Sequence, residues 1–322
     1  MKFIALCLVA ALSLGAAGAG WPQAGFPAKP VKIVVGFPPG SSGDLVARVL
    51  APRLADSLGQ TFVIENKPGA GSNIATEGVV RAPADGYTLL MGTIANTINA
   101  TLNRNLSFDF SKDLAPVIAV ASVPTLLVVH PSFPARSVRE LIAIAKPKPG
   151  EYLYASSGNG TANHLAGELF NLMAGVKLIH VPYKGSPQAV ADLLAGRVLV
   201  MFSPASTALP HIRAGSLRAL ASTGEQRTGV APELPTVAES GLPGFETSVW
   251  FGLLAPAATP RDIVDRIAAA AAQGLRSAEV KAQFAAQGID PLGGGPREFA
   301  SYIREEIAKW AKVIQASGAK ID

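Results

Sequence analysis

Cysteine is almost absent: the 322 residues contain one, Cys7, inside the first apolar stretch. Such a chain has no disulfide framework and no Cys-based metal site, and with that stretch removed it has no thiol chemistry either. Histidine is scarce too. The four residues His130, His164, His180 and His211 show no metal-ligand spacing among themselves. Charge is thin: Lys and Arg number 28 and Asp and Glu 23, together 16%, against roughly 25% in ordinary soluble domains. The small net charge of +5 and the 49% hydrophobic content exclude disorder. Basic residues are scattered, densest at Lys29/Lys32 and Lys146/Lys148 and without aromatic interleaving, so no nucleic-acid surface is expected. No uninterrupted apolar run reaches the ~18 residues that a membrane span requires. Catalytic signatures are also missing: there is no H-E-x-x-H, Walker A or G-x-S-x-G, and no G-x-G-x-x-G between a strand and a helix.

Residues 1–19 read as an export signal. Lys2 is the basic start, Phe3 to Leu14 the apolar stretch, and Ala17-Gly18-Ala19 the small-x-small site for cleavage near Ala19. An exported protein is therefore expected. Leu6 before Cys7 does not suit lipid attachment, which needs a small residue there.

After a linker from Gly20 to Pro30, short β-branched runs alternate with amphipathic segments. Strands are expected at Val31–Val35, Thr61–Glu65 and Tyr87–Met91, with helices at Asp44–Leu58 and Ile74–Arg81 between them. That βαβαβ order indicates an α/β fold with a parallel sheet covered by helices. The middle repeats the theme, with strands at Leu126–Val129, Tyr152–Ala155, Leu178–Val181 and Val198–Phe202 and helices at Thr161–Met173 and Ser186–Leu194. Ser137 and Glu140 form a capping pair for a further helix. Helices are then expected from Thr259, as cap, to Leu275, at Ser277–Gln287 and at Pro296–Ala316. These three lack strands of their own and are expected to pack back on the first sheet.

Two small-residue loops each follow a strand and precede a helix: Gly40 to Gly43 and Ser156 to Thr161. A helix N-terminus leaves about four N–H groups unpaired and carries roughly half a positive charge, so it attracts carboxylates. Gly lets the backbone approach an anion closely, and Ser adds hydroxyl donors. In open α/β sheets, ligands sit at the carboxyl ends of the strands, where both loops lie. Each loop is also compatible with an ordinary βα turn; two of them in opposed lobes favour a site. His130 and His180 flank strands and suit structural roles. Ser156, Ser157, His164 and Asp192 suggest a secreted serine hydrolase only weakly, because no strained nucleophile turn accompanies them.

Several stretches carry a family resemblance when taken together. They are Val34-Val35-Gly36-Phe37-Pro38-Pro39-Gly40-Ser41-Ser42-Gly43-Asp44, Glu65-Asn66-Lys67-Pro68-Gly69-Ala70-Gly71 and Asp85-Gly86-Tyr87-Thr88-Leu89. Further along stand Tyr154-Ala155-Ser156-Ser157-Gly158-Asn159-Gly160, His164-Leu165, Val181-Pro182-Tyr183-Lys184-Gly185, Leu234 to Gly241 and Trp250-Phe251-Gly252. In this order, and over the whole chain after the signal, the set resembles the Bug-type periplasmic solute receptors of tripartite tricarboxylate transporters.

The resemblance implies a two-lobed Venus-flytrap fold of the periplasmic-binding-protein type, each lobe a mostly parallel sheet flanked by helices. Lobe 1 would comprise residues 24–122 and 247–322, and lobe 2 residues 123–246. The implied function is binding of a small organic acid (a di- or tricarboxylate, an aromatic carboxylate or an acidic amino acid) and delivery to integral-membrane permease subunits. No enzyme activity, cofactor or metal is implied, and the receptor is expected to be a monomer. Sensing for a signalling membrane protein is the alternative role. Implied first-lobe contacts are Phe37, Pro39, Gly40, Ser41, Ser42, Asp44, Thr93 and Asn96. Second-lobe contacts are Ser156, Ser157, Gly158, Gly160, Thr161, His164, Tyr183 and Ser203. Asp44, being acidic, suits fixing of loop amides better than touching a carboxylate, and Lys184 is expected to face solvent. One departure stands out: Ser41 replaces the family's usual second glycine, narrowing the pocket or adding a hydroxyl.

Overall fold

The computed structural model describes residues 25–103 and 105–317. The export signal at residues 1–19 lies outside them. The first βα units are β1 (Val31–Val35), α1 (Ser42–Leu58), β2 (Phe62–Asn66), α2 (Asn73–Val80), β3 (Thr88–Thr93) and α3 (Ile94–Leu102). A long strand, β4 (Leu114–Val129), leads to α4 (Val138–Ala145), β5 (Leu153–Ser156), α5 (Ala162–Ala174), β6 (Ile179–Pro182) and α6 (Ser186–Leu194). Next come β7 (Val200–Pro204), α7 (Ala205–Arg213), β8 (Arg218–Ser222) and β9 (Ser248–Pro256). The chain closes with α8 (Arg261–Arg276), α9 (Ala278–Ala286), β10 (Asp290–Gly293) and α10 (Pro296–Ser317).

The strands run in the order β2-β1-β3-β9-β4-β7-β5-β6, with β8 and β10 also on β4. The expected parallel units are there: β1 lies between β2 and β3, and β5 between β6 and β7. Between them everything is antiparallel and passes through β4. From Leu114 to Pro124 that strand pairs with β9, and β10 lies on its other edge; from Thr125 onward it pairs with β7 and β8. One strand is thus the spine of both lobes.

Sequence reading captured only the last four residues of β4, because Pro116 and Pro124 look like strand breakers. The structure accommodates Pro116 beside a register shift and puts Pro124 where the partners change. Strand β9 is equally hard to read from sequence, because Gly252 stands at its centre. A methyl there would collide with the ring of Phe299, so the glycine lets α10 lie directly on the strand. Helix α8 begins at Arg261, one turn position later than a Thr259 cap implies, with Pro260 as the N-cap residue and no side-chain cap.

Three apolar cores follow this division. The largest joins Val31, Val46, Leu50, Leu89 and Val117 to Trp250, Leu253, Ile267, Phe284 and Trp310. The late helices therefore bury their apolar faces on the first sheet as expected, although a strand not expected from the sequence, β10, lies between α9 and α10 and pairs with β4. The other two pack opposite faces of the second sheet, around Phe133, Tyr154, Phe170 and Phe202 on one side and Leu126, Val128, Ala189 and Met201 on the other. Buried Glu306 accepts from the indole N–H groups of both Trp250 (3.2 Å) and Trp310 (3.1 Å), fastening α10 to β9.

Candidate functional site

Five helices point their N-termini at one place between the lobes. The residues brought together are Ser41–Gly43 at the start of α1, Thr93–Ala95 at α3, Thr161–Asn163 at α5, Ser186 at α6 and Pro204 before α7. Phe37, Ser157, Val249 and Phe251 complete the walls of a cavity of about 30 Å³. None of its lining residues is charged. Each helix end supplies roughly half a positive charge, so the cavity is electropositive through backbone dipoles alone.

The first loop owes its shape to Asp44. Gly40, at φ 77°, turns the chain so that its N–H donates to Asp44 Oδ2 (2.9 Å). Arg48 Nε donates to the same oxygen (2.8 Å), and Asn66 Nδ2 to Oδ1 (3.0 Å). Burial alone would raise the Asp44 carboxyl, but Arg48, the Gly40 amide and Asn66 hold it below its usual range. Ser41 is the N-cap of α1 in extended conformation, yet its side chain makes no capping bond. Its hydroxyl is buried and has no hydrogen-bond partner. By helix geometry the N–H groups of Ser42, Gly43 and Asp44 also lack partners within α1. Donors are therefore unspent where the cavity lies.

The second loop is held without charge. Ser156 Oγ accepts from the Gly158 N–H (3.0 Å) and is hydrogen-bonded to His180 Nε2 (2.6 Å). The Gly160 N–H donates to His164 Nδ1 (3.3 Å), which assigns the other ring nitrogen as the protonated one. Thr161 caps α5, donating to the Gly158 carbonyl (2.7 Å) and accepting from the His164 N–H. Beneath the loop the rings of His164 and His180 stack at 4.1 Å, and Tyr154 stacks on His180 at 5.0 Å. Burial, followed by the neighbouring His164, pushes His180 down to about 3; burial also lowers His164, with Glu168 acting in the opposite sense. Both rings are neutral at pH 7. Ser157 Oγ donates to Asn163 Oδ1 (3.0 Å) and shares a hydrogen bond with Ser186 (2.8 Å), linking α5 to α6.

The lobes meet around this cavity. Ser42 and Ser206 share a hydroxyl hydrogen bond of 2.7 Å, and Asn99 Nδ2 donates to the Gly160 carbonyl (3.2 Å). A side chain on Gly185 would lie 2.6 Å from the Pro38 ring, so glycine is what permits that approach. A second cavity, of about 240 Å³, shares the walls Phe37 and Ser157 with the first and opens toward Gly69–Gly71, Asn73, Tyr183 and Lys184.

The model of the tripartite tricarboxylate transporter family receptor matches residues 46–319. Protein BugT of Bordetella pertussis is 39% identical over the full length of both chains. Among solved structures, Rpa4515 of R. palustris with adipate superposes with a TM-score of 0.89 at 39% identity, covering 92% of this chain and all of that one. MatC from Rhodopseudomonas palustris with bound malate gives 0.86 at 31% identity, covering 90% of this chain and all of that one. This chain belongs to the tripartite tricarboxylate transporter receptor family. It is a solute-binding receptor with the two-lobed fold of its relatives, and not an enzyme. The hydrolase set is not assembled: Asp192 is taken by Tyr183 (2.9 Å) and Arg197 (2.7 Å), and Ser156 is bonded to the Gly158 N–H and to His180 rather than to His164.

In this receptor Phe37, Ser41, Ser42, Thr93, Ser157, Gly158, Thr161 and Tyr183 line the two cavities. The remaining expected contacts stand behind them. Pro39 and Gly40 form the turn that Asp44 secures. Asn96 receives the Thr93 N–H (2.9 Å) and donates to Thr76 (2.8 Å), while Ser203 bonds within its own turn to Thr207 (3.2 Å). Ser156, Gly160 and His164 shape the second loop from below. Asn163, Ser186 and the apolar wall of Val249 and Phe251 are not among the contacts expected from the sequence. Only Ser186 carried a signal, as the first residue of an expected helix.

Proposed function

We propose that this receptor closes its lobes on a small organic acid, with one carboxylate held in the inner cavity by amides and hydroxyls. The lobes are taken as residues 24–122 with 247–322, and residues 123–246; the change of partners along β4 between Pro124 and Thr125 supports that division. The observation that carries the reading is the meeting of five helix N-termini and an unspent Ser41 hydroxyl at a cavity without cationic side chains. The adipate and malate in the similar structures support the ligand class. Export by the signal at residues 1–19, residence in the periplasm as a monomer, and delivery to integral-membrane permease subunits complete the proposal.

A folded carboxylate complex is stabilised by mass action, by ~2.7 kcal/mol at a hundred times Kd. A melting-temperature screen of the purified receptor against acids, amino acids, sugars and phosphates therefore tests the class. The expected result is a rise with one or more carboxylates and none with sugars. A rise with neutral solutes alone would refute the reading.

A further inference from the structure

We infer that Val249 and Phe251 are specificity residues that size the inner cavity to an unbranched carboxylate end. Acids that branch at the carbon next to the carboxylate are rejected, aromatic acids among them. This rests on the carboxylate reading above and goes beyond it. The inner cavity offers about 30 Å³, where one water-sized group needs at least ~10–15 Å³. That is room for the two oxygens of a carboxylate and little more. Ser41–Gly43 and Thr161–Asn163 supply its donors, and Val249, Phe251 and Ile94 give it an apolar wall.

The donors stand on loops and helix ends, but the wall stands on a strand that cannot retreat. Successive side chains of a strand point to opposite faces, so along β9 Val249 and Phe251 face the cavity while Trp250 and Gly252 face α10. On that far side Trp250 packs edge-on to Phe299 at 5.6 Å, and Gly252 makes room for the same ring. Both edges of β9 are bonded: Phe251 lies opposite Thr93 of β3 and Ala121 of β4, and Val249 lies opposite Val123 of β4. Both side chains are buried, and the Phe251 ring lies against Gly43 of α1, where a methyl would stand 3.1 Å from it. The ring therefore has no space to turn toward α1. Nor can the lobes part to widen the cavity while Ser42 and Ser206 share their bond of 2.7 Å. A methyl group beside the bound carboxylate would need volume that none of these contacts yields.

The test is isothermal titration of the purified receptor with adipate and with its tetramethyl derivative, which carries two methyl groups beside each carboxylate. Chain length and charge are the same, and neither end of the derivative escapes the wall. The wild type is expected to prefer adipate at least tenfold. Val249→Ala, which enlarges the cavity without touching a donor, is expected to bring the two within threefold by strengthening the branched acid. Val249→Ile, which shrinks the cavity, is expected to weaken adipate at least tenfold. Each variant is first shown to melt as a folded protein, and should Val249→Ala not fold, the wild type and Val249→Ile decide the matter. Equal binding of both acids by the wild type, binding of neither, a preference that survives in Val249→Ala, or wild-type adipate affinity in Val249→Ile would overturn the assignment. Failure of the folded wild type to bind any carboxylate would overturn the proposed function itself.

Discussion

Between Gly40 and Asp44 the backbone is held by an ionised carboxylate; between Ser156 and His164 it is held by neutral rings and hydroxyls. Both arrangements hold the backbone ahead of a helix N-terminus, one in each lobe. They differ in what they ask of the solvent. Asp44 accepts from three donors at once, so its negative charge is compensated within the loop and does not repel an anion nearby. His164 and His180 are useful only while uncharged, because protonation would place two cations 4.1 Å apart in a buried stack. An anion site can thus be supported by a charge or by its absence, provided the amides stay aimed.

The largest effect that separates the loops is expected from Asp44→Ala. It strips three donors of their acceptor, and hydrogen bonds to charged groups contribute ~1.5–3 kcal/mol each. After partial relaxation a loss of about 3 kcal/mol in urea unfolding is expected, together with loss of measurable adipate binding. If stability fell by under about 1 kcal/mol, the charge would not be what holds the first loop.

A pair of glycine changes sharpens the comparison. A methyl on Gly158 would stand 2.8 Å from the Tyr183 carbonyl at φ 126°, whereas one on Gly40 at φ 77° meets only Pro187 at 3.7 Å. Gly158→Ala is expected to lower adipate affinity at least tenfold, and Gly40→Ala by threefold or less with a stability loss of about 1–2 kcal/mol. Calorimetric titration of the two variants side by side would reverse that order if the first loop were the more tightly fitted one.

The pH response should come from the second loop. Because the folded state keeps His180 down near 3 while an unfolded histidine titrates at about 6.5, the unfolded chain binds more protons between these values. Stability is therefore complete above about pH 6.5 and falls as pH drops below it, by up to about 1.4 kcal/mol per unit for this one ring. Melting curves from pH 7 to 4.5 should slope less in His180→Gln. Equal slopes would mean that the stack is not what titrates. The smallest change is expected from Ser42→Ala, which removes one interlobe hydroxyl bond worth ~0.5–1.5 kcal/mol. Affinity should drop about threefold and the unliganded melting temperature by no more than about 2–4 °C.

What was legible in the sequence was whatever glycine, proline and serine punctuate. The Phe37–Asp44 and Ser156–Thr161 loops are spelled out in such residues, and periodic apolar spacing marks the helices that follow. Where a strand runs straight into a helix there is nothing to read: β3 ends at Thr93 and α3 starts at Ile94, and β7 ends at Pro204 and α7 starts at Ala205. Two of the five helix N-termini at the cavity are of this kind. Thr93 and Ser203 became site expectations only through the family resemblance. The apolar wall was hidden for a different reason. Phe251 reaches the cavity because β9 pairs antiparallel with β3 across more than 150 residues of chain, Thr93 opposite Phe251, and no local pattern encodes such a pairing.

In the proposed closure both lobes build one carboxylate site. Ser41 caps α1 and Ser157 lies in the second loop, and both line the inner cavity. Titration of adipate into Ser41→Val and Ser157→Val, each first shown to melt like the wild type, measures both halves directly. At least a tenfold loss of affinity is expected in each variant. Wild-type affinity in either one would assign the site to a single lobe and contradict the proposed closure.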